Sequence, residues 1–222
     1  MYFFTADEHY GHAAIIDHCQ RPFSSVEEMD EALIQRHNQV VGDGDTVVHC
    51  GDFAWCKTLE EAEERYISRL NGRHIFLRGS HDRWLGKGAP TIHTVKIDKQ
   101  LIVACHYAMR TWPSSHYGSW HVYGHSHCAL PLEGLSIDVG VDCHDFMPVS
   151  FEQLRAHFGD MKTLEAYSKG LLGRKDAMRK MNVSYFELLD MLAEAGLELP
   201  SLPDKEINQM AQDMNRILDE AE

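Results

Sequence analysis

The sequence has little that would suit a membrane, an oxidising compartment or nucleic acid. No apolar run approaches the length of a membrane span, and the N-terminus becomes charged too early for a secretory signal. Because the six cysteines include no C-x-x-C pair, we expect reduced thiols and a cytoplasmic protein. The net charge of −13 indicates no broad nucleic-acid-binding surface, although it leaves nucleic acid open as a partner. The lack of a long apolar run predicts no membrane partner.

Short apolar runs around two amphipathic stretches predict an α/β fold. The strand candidates are residues 2–6, 46–50, 74–78, 94–97, 101–106, 120–124 and 135–141. Helices are predicted over 25–41 and 58–70, where Ser25 and Thr58 are candidate capping residues. This order favours an α/β layer that leads into an antiparallel-rich half.

The pattern changes near residue 158, after which every segment reads as helix. We therefore divide the chain into a domain over 1–158 and a helical region over 159–222. Residues 174–194 resemble a helix-turn-helix unit, but the second helix is acidic and apolar, which favours an interaction or homo-oligomerisation element over DNA reading. A helical cap on the core is the alternative. The predicted buried side comprises Ala177, Met181, Phe186, Leu189 and Leu192, and a last helix is predicted over 205–222.

Aspartates and histidines recur where the predicted strands end. The segments read D-x-H at 7–9, G-D at 51–52, G-S-H-D at 79–82, a histidine at 106, and G-H-x-H at 124–127. Each of these motifs is weak alone. Their order along the chain, each at a strand end where α/β sheets form ligand crevices, indicates a metal site.

The number of donors indicates two ions rather than one. A catalytic site keeps open coordination positions, so two carboxylates and four imidazoles are too many for a single ion. Imidazole with carboxylate suits manganese, iron, zinc, cobalt or nickel better than calcium or magnesium alone. We expect manganese, with iron, zinc, nickel, cobalt or magnesium as alternatives. The six donors are Asp7, His9, Asp52, His106, His125 and His127.

This ordered set resembles the calcineurin-like metallophosphoesterase superfamily, over roughly residues 1 to 158. The stretches HYAMRTWPSSHYGSWHVYGHSH and DVGVDCHDFMPVSFEQL further resemble its short bacterial and phage members. The resemblance implies a four-layer α-β-β-α sandwich and a dinuclear phosphoesterase in which a metal-bridging hydroxide attacks phosphorus in line. It assigns Asp7, His9 and His127 to the first metal, Asp52 to a bridge, and His106, His125 and residue 80 to the second.

The resemblance also implies that His81 protonates the leaving alcohol or stabilises its charge. Asp82 either orients His81 or caps the turn. Serine at position 80 departs from the family pattern, which has asparagine there. Ser80 could ligate directly, bind through water or leave a weaker second site, so a metal-binding or regulatory protein with weak or lost catalysis is the alternative function.

Substrate contacts are harder to predict from the sequence than metal ligands. Arg110 follows His106 closely and is a candidate phosphate contact, with a surface charge as the alternative, and His12 is a second candidate. Tryptophans 55, 84, 112 and 120 neighbour the motifs, where core or loop packing is commoner than stacking on a base. We expect a phosphodiester substrate, nucleotide-derived or not, or a phosphomonoester.

Overall fold

A computed structural model of the protein describes residues 1–200, which form two compact units that meet in sequence at His157 and Phe158. The helix predicted over 205–222 lies outside the described residues. Within them, no helix has both the length and the apolarity to cross a bilayer. The strands are β1 (Tyr2–Thr5), β2 (Thr46–His49), β3 (Arg73–Phe76), β4 (Ile92–Ile97), β5 (Gln100–Cys105), β6 (Trp120–Tyr123), β7 (Ser136–Asp138) and β8 (Val149–Ser150). The helices are α1 (Ala14–His18), α2 (Val26–Val40), α3 (Leu59–Arg65), α4 (Phe151–Ser168), α5 (Arg174–Met181) and α6 (Tyr185–Glu194).

The first sheet has the order β3-β2-β1-β8. β1, β2 and β3 are parallel, and β8 pairs antiparallel to β1. Helices α2 and α3 connect the parallel strands and pack their apolar stripes against this sheet, with Met29, Leu33 and Ala62 fully buried. Parallel strands need such crossovers, and they place their carboxyl ends at one edge of the sheet.

The second sheet has the order β4-β5-β6-β7. Only β4 and β5 are antiparallel, joined at Asp98 and Lys99 by a tight turn with positive φ at both residues. Because β5, β6 and β7 run parallel, the expected antiparallel-rich half is wrong. The loops over 106–119 and 124–135 are long enough to carry the chain back for a parallel crossover, and strand periodicity does not report strand direction.

A helical layer beside each sheet completes the four-layer sandwich. The first turns of α4 supply the fourth layer, because Phe151 contacts Trp120 of β6 and Arg155 forms an ion pair with Asp98 at the β4–β5 turn. Helix α3 ends at Arg65, earlier than predicted, and a short 3-10 turn follows it. Tyr66 leaves the helical conformation and stacks on Tyr10 in the core.

The second unit has its own apolar cluster, which joins α4, α5 and α6. Asn182 turns the chain in the left-handed conformation, and Ser184 and Glu187 form a full capping box at the start of α6. Leu188 and Leu192 are buried, whereas Phe186 is 78% exposed. The predicted burial of Phe186 is therefore wrong, and Leu188 rather than Leu189 has the fully buried place, because the buried face of α6 repeats at a spacing of four residues.

Candidate metal centre

The loops that follow the parallel strands converge on one pocket. The peptide N–H of Asp7 donates to the carbonyl of Gly51, and that of His9 donates to the carbonyl of Asp52, so the loops after β1 and β2 stay paired beyond their strands. His106 follows β5 at once, and its Nδ1 lies 3.1 Å from the carbonyl oxygen of Cys50. Residues far apart in the chain thus come together at the carboxyl edge of both sheets.

Six side chains form two neighbouring groups of donors, each with its ligand atoms within 4.8 Å of one another. Asp52 connects them, since its Oδ2 lies 3.8 Å from His9 Nε2 in one group and 3.3 Å from His106 Nε2 in the other. One carboxylate oxygen therefore stands between both sets of imidazoles. The first group is Asp7, His9 and His127, and the second is Asp52, His106 and His125.

Five of the six donors have a left-handed backbone, with φ between 45° and 69°. Side-chain-bearing residues seldom adopt this conformation, and such strain persists where the surroundings fix it, commonly at functional sites. Two glycines let the loops approach. A Cβ on Gly79 would overlap Asp52, and one on Gly124 would lie 2.6 Å from Asp7 Oδ2. The exception to the left-handed backbone is His106.

The pocket suits cations, because it buries acceptors that no protein donor satisfies. Asp7 Oδ1 and His9 Nε2 have no hydrogen-bond partner among the described residues. Burial raises the pKa of Asp7 well above its usual range, and the charges of Asp138 and Asp52 raise it further. Burial lowers the pKa of His9, which keeps its imidazole neutral with a lone pair available. Divalent ions would offset the buried carboxylates, and the mixture of nitrogen and oxygen donors suits first-row metals.

Comparison with known proteins identifies the family. Over 157 residues, 68% of this chain and 86% of the relative, the sequence is 30% identical to the uncharacterized protein MJ1445 of Methanocaldococcus jannaschii. The chain belongs to the same family as this protein. No protein-family model matches the chain.

One solved structure shares the fold, and a second aligns more weakly. A protein of unknown function from Aquifex aeolicus, AQ665, aligns with 70% of this chain and 97% of its own at a TM-score of 0.54 and 20% identity. A conserved uncharacterized protein from Streptococcus pneumoniae, described as a predicted phosphoesterase, aligns with 63% of this chain and 70% of its own at a TM-score of 0.36 and 16% identity.

A buried arginine supports the loops that carry the candidate metal ligands. The guanidinium of Arg21 donates to the carbonyls of Asp7 and Glu8, at 2.7 and 3.0 Å. It also forms a two-pronged pair with Asp142, both bonds being 2.8 Å. Asp142 Oδ2 in turn lies 2.7 Å from Nδ1 of His127, which leaves Nε2 as the atom available to a metal.

Sequence analysis missed Arg21 and Asp142. Arg21 belongs to no motif, since it lies in a loop between α1 and α2. Asp142 lies in the stretch DVGVDCHDF, whose resemblance to the superfamily was the one signal that could have pointed to it. Partners of this kind orient a ligand without bonding to the metal, so they leave no ligand-type spacing in the sequence.

Glu8, between Asp7 and His9, is a further missed residue. Its Oε1 lies 2.6 Å from Nδ1 of His49, whose Nε2 lies 3.0 Å from Nδ1 of His74. Burial raises the pKa of Glu8 to about 8, and it lowers the pKa of His49 to about 3. His49 is the packed core residue that its place on a strand predicts, and it fixes the D-x-H turn through Glu8.

Asp82 caps the loops that follow β2 and β3. Its carboxylate accepts hydrogen bonds from the peptide N–H groups of Asp52, Phe53 and Gly79, at 2.6, 2.9 and 2.8 Å, and from the indole of Trp84. These bonds join the loop after β2 to the loop after β3. The structure therefore favours the capping role of Asp82, because peptide donors take up the carboxylate, and its catalytic role through His81 stays a prediction.

His81 and His12 lie at the mouth of the site. They help to line a cavity of about 520 Å³ together with His9, Asp52, His125 and His127, and we call it the metal cavity. His81 Nε2 lies 3.9 Å from Asp52 Oδ2, and His12 Nδ1 lies 3.2 Å from His9 Nδ1. Arg110 is exposed and does not line this cavity, so the structure does not bring it to the site with the other candidates.

The expectation that all cysteines are reduced is wrong for two of the six. Cys128 and Cys143 form a disulfide that closes a 15-residue separation. No sequence motif marks this pair, because the loops after β6 and β7 bring the two residues together only in the folded chain. The bond directly follows His127 in one loop and Asp142 in the other, so it covalently joins the two loops whose side chains form the His127–Asp142 contact.

Ser80 does not line the metal cavity, but it contacts Asp52, which does. Its hydroxyl donates to Asp52 Oδ2 at 2.8 Å, the oxygen that stands between the two donor groups. Asparagine at this position would offer a carbonyl oxygen on a longer side chain, which is a better ligand for a second ion than a hydroxyl.

We predict that Ser80→Asn raises occupancy of the second metal position. Metal content per protein after dialysis against limiting Mn²⁺ should rise toward two, and turnover of a chromogenic phosphodiester should rise about tenfold, as expected when one ligand is restored. Ser80→Ala is the control that removes the hydroxyl without adding a donor. Equal metal content and equal rates for serine and asparagine would show that residue 80 has no role at the site.

Proposed function

We propose that this protein is a hydrolase that uses two divalent cations to cleave a phosphoester, with a phosphodiester as the favoured substrate. The observation that carries the proposal is the position of Asp52 Oδ2, which lies close to imidazoles of both donor groups. In this proposal Asp7, His9 and His127 hold one cation, His106 and His125 hold the other, and Asp52 is shared. Two such ions lower the pKa of bound water and offset charge on the phosphate oxygens.

The reaction also needs a proton donor from the chain. Water attacks phosphorus, the bond from phosphorus to the leaving oxygen breaks, and that oxygen needs a proton. His81 is partly exposed at the rim of the metal cavity, where its imidazole can donate this proton. His12 adds a second imidazole beside the substrate. The cations also allow a chain with a net charge of −13 to hold an anion.

The proposal is tested by metal content and turnover measured on the same preparation. The protein is stripped with a chelator and reloaded separately with manganese, iron, zinc, nickel, cobalt and magnesium. Each form is assayed on bis-p-nitrophenyl phosphate, a diester, and p-nitrophenyl phosphate, a monoester. We expect close to two ions per chain, with manganese most active, and faster cleavage of the diester. Absence of hydrolysis by every metal form that binds two ions would contradict an enzymatic role.

Ser80 favours one alternative, a metal-binding protein with weak or lost catalysis. In this alternative the Ser80 hydroxyl keeps its 2.8 Å hydrogen bond to Asp52 Oδ2 and does not bind a metal, so the second ion lacks a ligand. It predicts one tightly bound ion and rates at the background level. The same metal and turnover measurements therefore separate the two functions.

A further inference from the structure

A second cavity adjoins the metal cavity on the side of His81. It has a volume of about 490 Å³, and its wall includes Trp55, Lys57, Arg65, His81 and Arg83. His81 belongs to the walls of both cavities, so a group that leaves phosphorus on the His81 side would enter this second space. We call it the Trp55 cavity.

Trp55 presents an aromatic face in this cavity. The side chain is 49% exposed, whereas Trp84 and Trp120 are each 5% exposed. Its ring stacks on His12 with centroids 4.3 Å apart and an angle of 14°, and it lies 5.2 Å from the ring of His81. The backbone is held in place, since the Trp55 N–H donates to the carbonyl of Tyr10 at 2.8 Å. A fixed, exposed indole beside the general acid is a stacking platform for a flat ring.

The charge of the same wall is opposite to that of the whole chain. Three cationic side chains line it, Lys57, Arg65 and Arg83, against the single carboxylate of Glu61, which pairs with Arg65 at 3.1 Å. Arg83 is exposed and forms no ion pair within residues 1–200, although its backbone is fixed in the short turn after the G-S-H-D segment. In a protein with a net charge of −13, this wall favours an additional negative charge on the ligand.

We propose that the Trp55 cavity binds the leaving group and that this group is a nucleotide, with its base stacked on Trp55 and its own phosphate near Arg83 and Lys57. This inference rests on the proposed phosphodiester hydrolysis. Water's oxygen bonds to the scissile phosphorus, the bond to the nucleotide's ribose oxygen breaks, and that oxygen takes up a proton to become a hydroxyl. Water's other proton passes to solvent. Neither Trp55 nor Arg83 takes part in the bond changes, so both are specificity residues.

The test measures binding of the product nucleotide and needs no turnover. Adenosine monophosphate is titrated into chelator-treated full-length protein, so that the metal cavity cannot hold its phosphate through cations. The affinity is read by calorimetry and by quenching of tryptophan fluorescence. Adenosine and ribose 5-phosphate serve as partial ligands that lack the phosphate or the base.

We expect adenosine monophosphate to bind at least about fivefold more tightly than either partial ligand, which corresponds to the lower end of a stacking contribution. Trp55→Ala should raise its Kd at least about fivefold and abolish the quenching, whereas Trp55→Phe should keep most of the affinity. Arg83→Gln should weaken binding and reduce its dependence on salt. Arg73→Gln, an exposed arginine at the start of β3, is the matched control and should leave the Kd unchanged.

Two results would overturn the inference. The first is an unchanged Kd for adenosine monophosphate in Trp55→Ala, and the second is binding of ribose 5-phosphate as tight as that of the nucleotide. Either can occur while the wild-type protein hydrolyses phosphodiesters, in which case the proposed function stands without this subsite. Conversely, nucleotide binding that depends on Trp55, with no hydrolysis by any metal form, would support the cavity and contradict the enzymatic role.

Discussion

Asp52→Asn is expected to lower phosphodiester turnover at least about a thousandfold. The two donor groups share this carboxylate, so its loss removes a ligand from both positions and leaves the repulsion between the cations without a shared counter-charge. Lewis-acid stabilisation by bound metals lowers the activation free energy by several kcal/mol, and each 1.4 kcal/mol, or about that, corresponds to a tenfold change in rate. The measurement is kcat on bis-p-nitrophenyl phosphate with Mn²⁺ in excess, together with metal content after dialysis, which should fall below one ion per chain.

The fold should survive this substitution. The asparagine side chain of the variant would retain an oxygen to accept the hydrogen bond that the N–H of His81 donates to Asp52 at 2.7 Å, and its amide could donate to the hydroxyl of Ser80. Asp43→Asn, an exposed aspartate in the turn before β2, is the matched control for loss of one negative charge. Wild-type activity in Asp52→Asn, with Asp43→Asn also active, would show that Asp52 is not a shared ligand and would contradict the dinuclear proposal.

Arg21→Ala is expected to lower the free energy of unfolding by about 3–5 kcal/mol, the usual cost of leaving a buried charge without its partner. The side chain of Arg21 is fully buried and that of Asp142 is 12% exposed, so little water can replace the lost bonds. The carbonyls of Asp7 and Glu8 would lose their donors as well. Urea unfolding of the chelator-treated protein measures this effect apart from metal binding.

The pH dependence of this loss has a defined sign. Burial acts to raise the pKa of Asp142, but its bonds to His127 and Arg21 outweigh burial and hold that pKa below the usual range. A lowered pKa contributes stability above the ordinary carboxyl range, and this contribution disappears as the pH falls through the folded-state value. The destabilisation in Arg21→Ala should therefore shrink in acid.

Arg21→Lys and Arg36→Ala serve as comparisons for this prediction. Lysine keeps the charge but cannot make the two-pronged pair, so an intermediate loss is expected. Arg36 contacts the carbonyl of Asp145 at the surface, and its removal should change stability by less than about 1 kcal/mol. Equal stabilities for Arg21→Ala and Arg36→Ala would show that Arg21 does not hold the site together.

The candidate ligands at strand ends were predictable because short sequence motifs contain the donor residues at fixed spacing. D-x-H and G-H-x-H place like donors at fixed spacing, so Asp7, His9, His125 and His127 can be read without coordinates. The role of Asp82 could not be read in this way. Its place beside His81 suited orientation of the imidazole and capping of the turn equally well, and only the positions of three peptide N–H groups favour the capping role.

By itself, the sequence determined the order of strands β1 to β7 and of helices α2 and α3, and the six candidate donors along the chain, because periodicity and motif spacing are local properties. It did not predict α1, β8 or the start of α4 at Phe151. Only the tertiary structure decided the parallel direction of β5, β6 and β7, the arginine behind the ligands, the disulfide and the Trp55 cavity. Each of these depends on contacts between segments distant in sequence. Such contacts are set by how the two sheets and their loops pack, and no short pattern encodes that packing.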